Sequence, residues 1–466
     1  MPQLKRSLGL TAAIATACGL VVASTTLIDM GHGFGLAGIG FIIPMVIAMV
    51  LNLTVALSFG ELSSLMPRAG AINHYTLPAM GPFMGIIAAI SGYLIVNIFA
   101  GGVEAAIPGI LISEFFVLGI DPRIPSVIML LFLMFINMRG VDLFGWTQVI
   151  LTTGMIGSLV VFGIIGLTGA TTGEALVQSA AQLDPVISGL GLLGLTALAF
   201  WLFIGIEFVV PMAEEIKKPR IYIPLSMILA LVIIFVAKAL YGSAAIRYTP
   251  LEVLMTSEMP HLDAGFAMLG NTGLIWMSIV TIFATLATMN TLICGVPRIL
   301  YGMAQEGQVP KIFAVLSSRQ TPWFGITFVT LMIMIPLLLA TFTIETIVVY
   351  ILAAVFSWFV CYIIGFLDVI ILRYKYPHAK RQFKSPLWII PQLVGIAGMV
   401  YMMINIYPDP EIERQIYLNA FIFIGIAAVY AALWVKLKMK KGLFETVPLE
   451  HVVGEDPDEA DKKVGL

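Results

Sequence analysis

The sequence predicts an all-α integral membrane protein, and three observations carry that expectation. Of its 466 residues 59% are hydrophobic and only 11% charged, and the mean hydropathy is +1.00, outside the range of soluble domains. The apolar residues fall into runs close to the roughly 20 residues that a helix needs to cross a bilayer, divided by short polar stretches. Lysine and arginine, finally, crowd into alternate loops, as they do where positive charge is retained in the cytoplasm.

Taken in order, twelve spans are expected, at 8–35, 38–65, 82–113, 124–138, 142–168, 189–213, 221–243, 263–297, 322–342, 346–372, 387–407 and 414–436. The first follows Lys5 and Arg6, as a signal peptide would, but its apolar run continues for about 25 residues without a small-residue cleavage pattern, which predicts a retained helix. The fourth is the shortest. With the N-terminus inside, 21 of the 25 lysines and arginines fall in cytoplasmic loops, Arg123, Arg247 and Arg414 fall outside, and Lys238 is left within the seventh span. Adding or removing one span destroys this order, so both termini are expected in the cytoplasm and the chain in the plasma membrane. Lys238, placed about a turn from the outer end of its span, is expected to snorkel to the interface.

The body of the protein is therefore expected over 1–436, with 8–168 and 189–372 as two five-span halves and 387–436 as the last two spans. A cytoplasmic tail, 437–466, opens on "KLKMKK" and ends in "GEDPDEADKKVGL". Its basic part suits anionic lipid headgroups, and its acidic part has the composition of a disordered segment. No phosphate-cradling glycine loop with Lys-Ser/Thr points to an ATP-driven pump, and no feature points to nucleic acid. Cys18, Cys294 and Cys361 all lie in apolar runs, which argues for small core residues rather than a disulfide framework. The five histidines are scattered through loops without metal-ligand spacing, so no metal site and no bound cofactor are expected. An enzyme would need paired acid-base groups or a nucleophile with its base at membrane depth, and the few intramembrane acids do not provide them.

Two spans carry signs of interruption. The first reads "AIATACGLVVAST", with Gly19 among small residues near mid-span, and the sixth opens "FWLFIGIEFVVP", with Gly205, Glu207 and Pro211. A single glycine in a membrane helix is most simply a site of close packing. Here the two glycines are 186 positions apart, and the starts of the second and seventh spans and of the third and eighth are offset by 183 and 181. That repeat offset predicts two five-helix repeats with breaks in corresponding helices, the arrangement from which secondary transporters build midplane sites.

The residues around the sixth span carry a resemblance. Phe200, Trp201, Phe203, Gly205 and Glu207, followed by Ala213, Glu214, Glu215, Pro219 and Pro224, are similar without gaps to the sixth-helix signature of the amino acid-polyamine-organocation permease superfamily. Glu61, Leu62, Pro67, Gly70 and Tyr75 resemble its second-helix block. Arg298, Tyr301, Ala304, Gly307 and Pro310 resemble the segment after its eighth helix. The anchors run in the family's order from about residue 14 to 320. The resemblance implies a LeuT-like fold of five plus five inverted helices and two more, with a midplane site between helices one, three, six, eight and ten, working by alternating access. It also implies that backbone N–H groups at the helix-one break, around Ala17, Cys18, Gly19, Leu20 and Val21, receive a substrate carboxylate, and that carbonyls at the helix-six break, around Phe203 and Gly205, receive its amino group. The sequence departs from the family in two places. "CGLVV" replaces the usual run of tiny residues in helix one, and helix five lacks the lysine that many proton-coupled members carry.

An amino acid is thus the expected substrate, with an amine or polyamine, bound by acidic residues and bearing no carboxylate, as the alternative. Glu207 either lines a cavity and attracts an amino group or braces the broken helix against helix seven; charge at membrane depth usually faces a cavity. Glu104, seven residues after Asn97 on one face of helix three, is either a second acid beside the site or a residue of the outer interface. Thr285 and Thr288, three apart on helix eight, either hold sodium, as the resemblance implies for sodium-coupled members, or bond back to their own helix. The coupling ion is accordingly sodium or a proton. Phe203, two residues before Gly205, is expected to gate the site. Glu61, Arg68, Glu214, Glu215, Lys217 and Lys218 are either gate contacts or solvated interface charge. The expected partners are a small solute and membrane lipid, with no obligatory protein partner.

Overall fold

A computed structural model of the protein describes residues 4–115, 120–176, 185–339, 344–407 and 409–453. Each of the expected apolar runs contains helix in its described part, and the only β pairing among the described residues is an isolated bridge between Leu8 and Ile216. Among the described residues, eight helical stretches, from Ser24–Leu65 to Pro410–Met439, are long and apolar enough to cross a membrane, and Leu10–Val21, Trp323–Leu339 and Ile390–Ile404 are shorter apolar helices. The fourth run is helical over Arg123–Arg139. Large apolar side chains such as Ile128, Phe132, Trp146 and Ile150 point outward, a surface too oily for water and suited to lipid.

The first run consists of two helices, Leu10–Val21 and Ser24–Ala37, because Val22 (ψ 57°) and Ala23 (ψ 157°) leave the helical region. The interruption therefore falls three residues after the glycine expected to mark it. Gly19 is helical and buried, and a Cβ there would lie 1.7 Å from Nε2 of Gln148 in the fifth run. It is a close-approach glycine. Gly205 differs: its φ of +102° is in the left-handed region, which an L side chain adopts only at a cost, and it separates the helix Thr196–Trp201 from the 3₁₀ turns of Ile206–Met212. A Cβ at Gly205 would approach Leu20 Cδ2 to 2.3 Å, so the two interruptions face each other.

The helix of the seventh run extends over Pro219–Tyr248, past the expected end at 243, because Ala244, Ala245 and Ile246 continue the apolar helix. Lys238 consequently lies well inside it and is fully buried. The expected snorkelling is corrected: the lysine points inward to the interruptions. Around them, Leu10–Val21 packs on the fifth, seventh and eighth runs, while the third run packs on the eighth, ninth and tenth. The third run passes through a π-helical stretch, Ile90–Ile95, before its last helix, Val96–Phe115.

The charges near the ends of these helices divide into two groups. Glu215 pairs with Arg298 and Glu61 with Arg373, all four buried, and Glu61 also pairs with the half-buried Arg381. Lys217 and Lys218 are exposed. The start of the tail is seated on the body: the Leu443 carbonyl accepts from Phe83 N at 3.1 Å, and Lys375 Nζ donates to Thr446 Oγ1 at 2.8 Å. The acidic end of the tail lies outside the described residues.

Candidate functional site

The end of a helix leaves its last carbonyls, and the start its first N–H groups, without partners inside the helix. Two interrupted runs that face each other therefore bring four such ends together inside the protein, where side chains of other helices can satisfy them. At the start of Ser24–Ala37, the donors are met by Glu104. Its Oε1 accepts from Ser24 N and Ser24 Oγ, each at 2.7 Å, and its Oε2 accepts from Thr25 N at 3.2 Å. Thr285 Oγ1 lies 2.9 Å from the same Oε1 and 3.0 Å from Ser24 Oγ. A carboxylate on a helix N-terminus is in its favoured electrostatic place.

The opposite ends meet Lys238. Its Nζ donates to the Leu202 carbonyl at 2.8 Å, to Thr26 Oγ1 at 3.0 Å and to the Val21 carbonyl at 3.3 Å. Glu207, two residues after Gly205, is fully buried and accepts from Trp358 Nε1 at 2.8 Å and from the Tyr362 hydroxyl at 2.7 Å, both on the tenth helix. The amide N–H of Gly205 donates to the same Tyr362 hydroxyl at 3.3 Å. The carboxylate thus ties the second interruption to helix ten, whereas a brace to helix seven was the expected alternative.

Between these groups lies a cavity of about 30 Å³ lined by Leu20, Thr25, Glu104, Trp201, Thr288 and Trp358, among others. It is too small for an amino acid as it stands.

A family profile described as amino acid permease matches residues 11–443, nearly the whole chain. The chain belongs to the amino acid permease family. It is 23% identical over 415 residues to a serine/threonine exchanger of Bacillus subtilis, an alignment covering 86% of this chain and 91% of the exchanger. It is 24% identical over 425 residues to the cystine/glutamate transporter of Homo sapiens, covering 88% and 82%. A D-serine/D-alanine/glycine transporter of Escherichia coli K12 is 26% identical over 325 residues, covering 64% and 66%. This permease is accordingly a transporter of the amino acid-polyamine-organocation superfamily and not an enzyme.

Of the residues singled out in its sequence, Leu20, Glu104 and Thr288 line the cavity. Ala17, Cys18, Gly19 and Val21 are buried in the helix leading to it. Phe203 is stacked on Phe235, with ring centroids 6.4 Å apart, while Trp201 and Trp358 take the cavity wall. Thr288 Oγ1 donates to the Gly19 carbonyl at 3.1 Å, with the Leu20 carbonyl 3.4 Å away, so neither threonine is engaged with its own helix. Asn97 donates to the Val329 carbonyl of the ninth run at 3.4 Å.

Sequence reasoning passed over Gln148. Its Nε2 reaches the carbonyls of Ala15 at 3.4 Å and Ala287 at 3.2 Å, and its Oε1 accepts from Asn290 Nδ2 at 2.8 Å. A neutral amide thus joins runs one, five and eight, where a search for basic residues in run five finds nothing. The signal was present as Gln148 and Thr152, four apart and the two facing Ala15. Lys238 had a plainer signal: it is the one basic residue that the charge count left inside a span.

Proposed function

We propose that this permease is a secondary active transporter, a carrier or exchanger that moves amino acids across the plasma membrane by alternating access. Twelve spans, in a LeuT-like five-plus-five repeat over 8–168 and 189–372 with two further helices at 387–436, complete this reading, with both termini cytoplasmic. The observation that carries it is the meeting of the two interrupted runs, at Val22–Ala23 and at Gly205, around one small buried cavity. Helix ends without internal partners at membrane depth are tolerated where they serve a site. The cavity's small volume supports a substrate admitted by movement of the half-helices rather than through an open channel. The segment Ala17–Val21, with Phe203, Gly205, Glu207 and Glu104, forms the proposed binding region. A coupling cation, sodium or a proton, belongs to the reading; Thr288 with the Gly19 and Leu20 carbonyls offers hard oxygens of the kind a small cation prefers, while Thr285 serves Glu104.

A second reading, transport of an amine without a carboxylate, is favoured by one observation. Glu104 already occupies the helix N-terminus to which a substrate carboxylate would bind. An incoming carboxylate must displace it or go elsewhere, whereas an ammonium group is attracted to it. The two readings separate in one measurement: the unfolding midpoint of the purified permease against amino acids paired with their decarboxylated amines, since a ligand of the folded state alone raises the midpoint by mass action. Stabilisation by amino acids supports the first reading, stabilisation by amines only supports the second, and a panel without effect on a folded protein counts against both.

A further inference from the structure

Lys238 raises a question that a substrate site does not answer. A buried ammonium without partners is among the most unfavourable groups in a membrane protein, yet this one comes from the middle of an unbroken helix to a point between two broken ones. Its three acceptors are all oxygens. The Val21 carbonyl ends the helix Leu10–Val21 and the Leu202 carbonyl follows the end of Thr196–Trp201, so both belong to the carbonyls that a helix terminus leaves unpaired. Thr26 Oγ1 lies 2.9 Å from the Ala23 carbonyl and 3.2 Å from the Val21 carbonyl, so its own proton is directed to a carbonyl and its lone pairs are offered to the lysine. Two helix C-termini, each carrying partial negative charge, and a hydroxyl with its proton spent elsewhere make a cage of hard oxygens. Such a cage asks for a small monovalent cation.

We propose that the ammonium of Lys238 is that cation, supplied by the protein itself: it takes the place of a dissociable inorganic ion between the two interrupted runs and holds their C-terminal ends together without depending on the medium. The role is one of positioning. It is separate from any ion held at Thr288, which faces the Gly19 and Leu20 carbonyls. Although it deepens the transporter reading, its test needs no substrate, so the failure of one is distinguishable from the failure of the other.

The full-length permease is purified as wild type, Lys238→Ala and Lys238→Met, and its unfolding midpoint is measured in sodium, potassium, methylammonium and choline chloride at equal ionic strength. In choline both variants are expected to melt several degrees below wild type. In Lys238→Ala the truncated side chain opens the cage, so sodium, potassium or methylammonium restores at least half of the loss, and the restoration grows with the logarithm of cation concentration. Lys238→Met keeps the volume and removes the charge, and is not restored. The quantity read is the cation-specific gain of the variant over the gain, if any, of wild type. An equal loss of Lys238→Ala in every salt, or a gain shared by Lys238→Met, overturns the proposal and leaves the lysine a packing residue. Should Lys238→Ala fail to survive purification in choline, recovery of folded protein only when methylammonium is present from solubilisation onward supports it, and failure in both media counts against it.

Discussion

Glu207 illustrates what a single residue discloses and what it withholds. Its type and place were legible, because a carboxylate in an apolar run two positions from a glycine stands out. Its partners were not, since Trp358 and Tyr362 lie 151 and 155 positions along the chain and no local pattern links them. With both oxygens accepting, the carboxylate is matched to two donors, and this matching makes a prediction. Glu207→Gln sets an amide NH₂ against one of those donors, and a buried group left unsatisfied costs about 1–3 kcal/mol. The unfolding midpoint is expected to fall and uptake to be lost with it. Tyr362→Phe removes one donor, so the double variant should lose less than the sum of the two single changes in a double-mutant cycle. Additive losses would contradict the coupling, and an unchanged midpoint with abolished ligand stabilisation would instead make Glu207 a direct contact to substrate.

At the scale of elements, the helices were legible from apolar length, but the point of interruption in the first was not. The run "CGLVVAS" offers Gly19 as its only backbone punctuation, yet the helix continues through it and opens at Val22–Ala23. Glycine there leaves room for Gln148, and the opening is stabilised by groups from other helices, Lys238 on one side and Glu104 on the other. Tertiary partners decided where the break falls, and a single sequence does not display them. The same holds for the acidic cluster after the sixth run, where adjacent charges have opposite environments. Glu215 is buried against Arg298, which also donates to the Cys294 carbonyl at 2.5 Å, whereas Lys217 is exposed. Removing one partner of a buried pair leaves a charge uncompensated and costs about 3–5 kcal/mol, while an exposed lysine contributes about 0–1 kcal/mol. Arg298→Met should therefore destabilise the permease strongly in denaturant or thermal unfolding and Lys217→Ala hardly at all. Similar losses for the two would show that the segment following the sixth run is not fixed by this pair.

On the scale of the whole molecule, the charge asymmetry between loops is the feature of the sequence from which an order of the apolar runs was expected without reference to packing. It did not foresee that the segment beyond the last run would fold back on the body. There Glu306, just past the eighth run, has the ring of buried His74 at 3.5 Å and that of exposed His451 at 3.3 Å. Burial acts to raise the Glu306 carboxyl, but hydrogen bonding and charge from the two histidines outweigh it and hold the carboxyl below its ordinary value of 4.5. A carboxyl held low in the folded state contributes stability that is fully present above the unfolded value and is lost as pH falls through the lower folded one. Limited proteolysis of the C-terminal segment across this range should find it protected in wild type until the pH drops below about 4.5 and released beneath it. Glu306→Gln should release the segment already at neutral pH, with the unfolding of the membrane body unchanged. Cleavage of the variant at the wild-type rate would mean that the segment is held by its backbone contact to Phe83 and by Lys375 with Thr446, and that the histidines contribute nothing to its seat.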